Sequence, residues 1–205
     1  IIGDIKHENL YNLGTTPYTI NIINCSFFGE FNLNADNIIT NIYYSNFYKS
    51  VYLNTSFEII GNFFISNSNS GDTLFIDETN LNISSNFSTS TLKVYANKFE
   101  NFQLRCNFNS SSLLSKLHIA NNYLNQTLTI PAALLNLNGP NTSCLIENNT
   151  LNSVGQTTGQ YGNIMKSENG LVVLEIRNNL LLNYYGSSSG GAYAFSFYPN
   201  GQGTI

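Results

Sequence analysis

With 205 residues, only 10% of them charged, and a net charge of −4, the chain is long enough to bury a core, yet its charged share falls far below the roughly 25% of an ordinary soluble protein. The acidic balance, with no cluster of lysine or arginine, excludes nucleic acid and anionic membrane surfaces as partners. No apolar run approaches the roughly 18 residues of a membrane span and no basic-then-apolar leader is seen, so no membrane insertion is expected, and the start at Ile1 reads as a processed product or a fragment.

Residues 1–17 read as a lead-in, interrupted by Gly3, Gly14 and Pro17 and without a helical apolar stripe. From residue 18 one phrase returns eight times. Each copy opens on a pair two residues apart: Ile20/Ile22, Thr40/Ile42, Phe57/Ile59, Leu81/Ile83, Leu92/Val94, Leu117/Ile119, Cys144/Ile146 and Leu174/Ile176. Period two predicts strand. A bend follows, anchored at Cys25, Ser45, Asn62, Asn86, Asn97, Asn122, Asn149 and Asn179. Two residues on, Phe27, Phe47, Phe64, Phe99, Leu124, Leu151 and Leu181 open a second strand, while the Asn86 unit offers Ser88 instead.

The anchors lie 20, 17, 24, 11, 25, 27 and 30 residues apart, mostly near one turn of a solenoid. The shortest step cannot hold a coil, so either the Asn86 or the Asn97 unit is expected on another face, leaving about seven coils. Ile22, Ile42, Ile59, Val94, Ile119, Ile146 and Ile176 are predicted to form one buried stack. Asn97, Asn122, Asn149 and Asn179 are expected at positive or near-bridge backbone angles, which asparagine tolerates, and with Asn62 they are expected to hydrogen-bond as an amide ladder. After residue 184, a serine and glycine run from Ser187 to Gly191 precedes alternation over Ala192 to Phe197, which predicts one more strand. The whole of 1–205 reads as one domain, with 1–17 the lead-in, 18–183 the repeat coils and 184–205 the glycine- and serine-rich turn with its last strand. Neither end reads as a cap, so flanking chain or another copy is expected to cover it.

The phrases Ile-Ala-Asn-Asn-Tyr-Leu (119–124), Ile-Glu-Asn-Asn-Thr-Leu (146–151) and Ile-Arg-Asn-Asn-Leu-Leu (176–181) resemble the right-handed parallel β-helix superfamily, which includes pectate lyases, polygalacturonases, phage tailspikes and surface adhesins. The resemblance spans residues 18–183 and implies an all-β, single-stranded parallel solenoid. It is nearly silent on activity, because the fold hosts enzymes and inert shafts alike. The enzymes of that superfamily carry aspartate clusters with an arginine or histidine. Here the aspartates are Asp4, Asp36, Asp72 and Asp77, and the paired-aspartate, histidine-glycine and arginine-x-lysine signatures are missing.

Two constellations merit weighing. Stacking places Lys93, His118 and Glu175 in one outward column and Tyr95, Glu147 and Arg177 in the next. Glu147 and Glu175 then stand roughly 8 Å apart, inside the range of inverting glycosidases, so Glu147, Glu175, His118, Lys93 and Arg177 are the candidates if the chain is an enzyme. The bland alternative is a set of cross-coil surface ion pairs. The second constellation is aromatic: Phe28, Tyr43, Tyr44, Tyr48, Tyr52 and Phe63 crowd the outward positions of the first coils, as an interface, a seat for a covering segment or a sugar-stacking surface.

No cofactor is implied and no metal site is read. Asp72, Asp77 and Glu78 lack the spacing of a calcium loop and are expected in a solvated turn. The three cysteines fit no disulfide framework, though a Cys106–Cys144 pair is less clearly excluded than one with Cys25. Asn-x-Ser/Thr sequons at Asn24, Asn54, Asn82, Asn86, Asn109, Asn125, Asn141 and Asn148 are about as many as chance makes in such a composition. The expectation is a non-catalytic structural or adhesive solenoid of an extracellular, cell-surface or virion-surface protein. Self-association, as a homo-oligomer or filament, or contact with flanking chain is expected. A module that binds or cleaves polysaccharide is the alternative.

Overall fold

The computed structural model describes residues 5–6, 18–33, 38–53, 56–67, 72–77, 90–108, 114–127, 135–138, 143–153, 165–168, 173–182 and 195–197. Among them every regular element is a strand, and the strands form three parallel sheets. Sheet A holds β1 (Ile5–Lys6), β4 (Phe31–Leu33), β7 (Val51–Leu53), β10 (Asp72–Asp77), β13 (Phe102–Asn107), β16 (Leu135–Asn138), β19 (Met165–Glu168) and β22 (Phe195–Phe197). Sheet B holds β2 (Tyr18–Ile23), β5 (Ile38–Tyr43), β8 (Glu58–Ile60), β11 (Ser90–Tyr95), β14 (Leu114–Ala120), β17 (Ser143–Glu147) and β20 (Val173–Arg177). Sheet C holds β3 (Ser26–Phe27), β6 (Asn46–Phe47), β9 (Phe63–Ile65), β12 (Lys98–Glu100), β15 (Tyr123–Gln126), β18 (Thr150–Ser153) and β21 (Leu180–Leu182). The chain visits A, B and C in turn and pairs each strand with the one three elements later, an arrangement compatible with a β-solenoid.

The register follows the inward apolar positions. Ile22, Ile42, Ile59, Val94, Ile119, Ile146 and Ile176 are successive partners in sheet B. All but Ile176 are buried, and Ile176 packs half-buried against the same core. Facing them, Phe27, Phe47, Phe64 and Phe99 stack ring on ring at 4.9, 5.2 and 4.8 Å, with Leu124 and Leu151 continuing the column. β8 pairs directly with β11, so Asn62 and Asn97 are neighbours along the stack. The Asn86 unit lies outside the described residues.

Sheet A was not expected from the bend phrase. Its inward residues Val51, Leu74, Leu104 and Leu135 are mutual partners and fully buried, and β1 and β22 are its two edge strands. The core contains one misfit, Thr40, which is fully buried with no partner for its Oγ1, alone among the buried side-chain polar atoms of the described residues. An unsatisfied buried hydroxyl is costly, so Thr40→Val is expected to raise stability by about 1 kcal/mol, read as a higher urea midpoint. A lower midpoint would mean that the hydroxyl is bonded in solution.

Candidate functional site

The corner between sheets B and C is built by two adjacent residues with different tasks. The first takes the left-handed conformation: Asn24, Tyr44, Gly61, Ala96, Asn121, Asn148 and Asn178 have φ between 51 and 70°. The expectation is a positive or near-bridge angle on the anchor, and the positive angle is not there. It falls one residue earlier because the anchor side chain must turn inward to bond its neighbours. Each anchor Oδ1 accepts from the backbone N–H and the amide of the anchor before it, at 2.9 and 3.0 Å from Asn62 to Asn97 and from Asn97 to Asn122, and at 2.9 and 2.9 Å from Asn122 to Asn149. Asn149 donates to Asn179 in the same way. Each Nδ2 also donates to a carbonyl of the preceding coil, as Asn122 does to Val94 and Asn149 to Ile119. Ser45 and Cys25 extend the column with a hydroxyl and a thiol.

On the outer side of sheet B the candidate acid-base residues meet, with one exception. His118 Nε2 lies 2.8 Å from Glu147 Oε1, Arg177 Nε donates to Glu147 Oε2 at 2.8 Å, and Arg177 Nη1 donates to Glu175 at 3.0 Å. Tyr95, which the sequence reading left out of the candidate set, joins through its hydroxyl to His118 Nδ1. The tautomer that satisfies both contacts carries the proton on Nε2 and accepts from Tyr95 at Nδ1. Lys93 does not join, because its ammonium donates to Glu58, which also accepts from the Tyr43 hydroxyl at 2.7 Å.

Arg177 and then His118 hold the Glu147 carboxyl below the usual carboxylate range, and the hydrogen bond from Tyr43, aided by Lys93, does the same for Glu58 against partial burial. Burial and the bond to Glu58 push the Tyr43 phenol up to about 12. The two depressed carboxylates predict acid sensitivity. Above the ordinary value of 4.5 both are ionised in the folded and unfolded chains and their stabilisation is fully present. As pH falls through their lower folded values the unfolded chain binds more protons and stability is lost. Urea midpoints at pH 7 and pH 3 are expected to fall with acid, and less so in Glu58→Gln/Glu147→Gln. An equal fall in that variant would contradict the assignment.

The six aromatic candidates separate. Tyr43 is on sheet B against Glu58, and Tyr52 on sheet A makes an edge contact with Phe75, whose other neighbour is the Arg105 guanidinium. Tyr44 stands at the corner, 61% exposed, leaning on Gly61, where an added Cβ would meet its ring at 2.6 Å. Only Phe28, Tyr48 and Phe63 share a face, the outer side of sheet C, and Phe28 and Tyr48 stack on each other at 4.7 Å. Sequence reasoning missed that Tyr123, Leu180 and Leu182 stand exposed on this face too. The signal was the residue just after each anchor, which runs Asn46, Phe63, Lys98, Tyr123, Thr150, Leu180 in register.

Asp72, expected in a solvated turn, is instead buried and accepts from the Ser50 and Ser66 hydroxyls. Asp77 has no described side chain and Glu78 lies outside the described residues. No group of three or more His, Cys, Asp or Glu is placed to hold a metal ion among the described residues. Cys25, Cys106 and Cys144 are free thiols, and burial pushes that of Cys144 well up. Of the sequons, Asn24 and Asn148 stand exposed at the corner, while the Asn125 amide is engaged with Glu100. No protein-family model, no curated protein and no solved structure matches the chain.

Proposed function

We propose that the chain is a right-handed, single-stranded parallel β-helix of about seven coils, as its seven-stranded sheets suggest, and acts as a non-catalytic structural or adhesive module of an extracellular, cell-surface or virion-surface protein. The right-handed sense rests on the strong preference of parallel crossovers for that hand. The observation that carries the functional reading is the contrast between two outer faces. On sheet B the carboxylates of Glu58, Glu147 and Glu175 are engaged by Lys93, His118 and Arg177. On sheet C, Phe28, Phe63, Tyr123, Leu180 and Leu182 stand exposed, the kind of surface that seats a partner.

The alternative, a polysaccharide-cleaving site, draws on the chain from Tyr95 through His118 to Glu147. An inverting pair needs one carboxyl kept protonated as the acid and one ionised as the base, and the surroundings of Glu147 fit it for the base alone. A module of this kind works in assembly with other copies or further chain, through its sheet edges or its apolar face. Light scattering across the micromolar range is expected to give a mass that rises with concentration. A dispersed monomer at high micromolar concentration would overturn the assembly part of the reading.

A further inference from the structure

We infer that the outer side of sheet C from β9 to β18 is a binding strip for a neutral, extended β-linked glycan, an inference that rests on the adhesive reading and gives the adhesive contact a chemistry. Phe63 and Tyr123, 45 and 36% exposed, occupy the same outward column with Lys98 between them in register. Each ring is flanked along the column by non-aromatic side chains: Asn46 and Lys98 beside Phe63, Lys98 and Thr150 beside Tyr123. Phe28 and Tyr48 differ, since their faces are parallel to within 2° and cover one another. Phe63 and Tyr123 are therefore the exposed rings of the strip that stack on no other ring among the described residues.

Strands stack about 4.8 Å apart, which separates the two ring positions by about 10 Å. Alternate residues of an extended β-1,4-linked chain turn the same face to one side, so such a chain laid along the column meets a ring at every second sugar. Beside the rings runs a row of polar groups held in place by one another. Lys98 Nζ is 2.8 Å from Glu100 Oε1, Asn125 Nδ2 donates to Glu100 Oε2 at 2.7 Å, and Asn152 Nδ2 donates to Asn125 Oδ1 at 2.7 Å. Asn125 is itself buried and holds the row in place, while the partly exposed Lys98 ammonium and Glu100 carboxylate are groups that recognise ring hydroxyls beside an aromatic ring.

Charge selects among ligands. The charges of the strip, Lys98 and Glu100, neutralise each other, so a polyanionic glycan or a nucleic acid finds no net positive field. An apolar protein partner would seek a broad apolar core with a polar rim, whereas here a polar row lies directly beside the two rings.

The test is calorimetric titration of the full chain with β-1,4-linked hexasaccharides of glucose, mannose and N-acetylglucosamine, with maltohexaose as the α-linked comparison. At least one β-linked probe is expected to bind and maltohexaose to bind at least about tenfold more weakly. Phe63→Ala or Tyr123→Ala should weaken binding about tenfold or more, while Lys116→Ala, at an exposed position of sheet B, leaves it unchanged. Phe63→Leu and Tyr123→Leu keep apolar bulk without the ring and should lose as much, which separates stacking from a folding defect. No binding of any β-linked probe, or binding indifferent to the ring substitutions, overturns the inference. Light scattering of the same variants tells its failure from that of the underlying reading. If the wild type associates and the ring variants do not, the strip is an interface between copies and the contact face survives without the glycan. If there is neither binding nor association, both readings fall.

Discussion

Asn122→Ala is expected to lower stability by about 3–5 kcal/mol, whereas Asn121→Ala, one residue away, should cost less than about 1 kcal/mol. Asn122 is buried, its amide donates to Val94, Ala120 and Asn149, and its Oδ1 takes the backbone N–H and the amide of Asn97. Alanine removes that acceptor and leaves the buried Asn97 N–H without it, and an orphaned buried donor costs about 1–3 kcal/mol before the lost donations are counted. Asn121 is exposed with φ 57°, and the preceding coil already holds Ala96 at φ 55° in the same place. Paired urea melts followed by circular dichroism decide it. Equal costs at the two sites would mean that the inward ladder contributes nothing beyond the bend.

Phe64→Ala is the other large effect, about 3–5 kcal/mol. The ring is fully buried, stacked between Phe47 at 5.2 Å and Phe99 at 4.8 Å, with Phe102 at 5.4 Å. Those neighbours belong to the coils on either side, so the cavity falls on both inter-coil contacts at once. In a solenoid, stability is largely a sum of such nearest-neighbour terms, and the loss should appear as an earlier melt of the flanking coils. A cost below about 2 kcal/mol would mean that the column closes around the gap.

Sheets B and C were legible because the anchor asparagine sits at a constant distance from the inward residues around it: Ile119 and Leu124 stand to Asn122 as Ile146 and Leu151 stand to Asn149. Sheet A was not, since its strands follow the anchor after segments of very different length. Val51 comes soon after Ser45, while Met165 lies far beyond Asn149, and no fixed offset marks either. The double asparagine was ambiguous in the same way. Both residues suit a left-handed bend by type, and only the need for an inward amide assigns the first to the bend and the second to the ladder. The sheet B network was half legible: register placed Glu147 beside Arg177, but that Lys93 would pair with Glu58 depended on which units are consecutive, and the short Asn86 step hid it. Tyr123 and Leu180 escaped notice because apolar residues near a bend read as core until the alternation is phased by the anchor.

The proposal that this chain works by contact, through the outer side of sheet C, meets its most direct test in affinity electrophoresis through native gels containing a soluble β-linked glucan or glucomannan. The wild type is expected to be retarded and Phe63→Ser/Tyr123→Ser to run free, with no new reducing ends in the gel. Equal retardation of both proteins, or cleavage of the polysaccharide by the wild type, would contradict it.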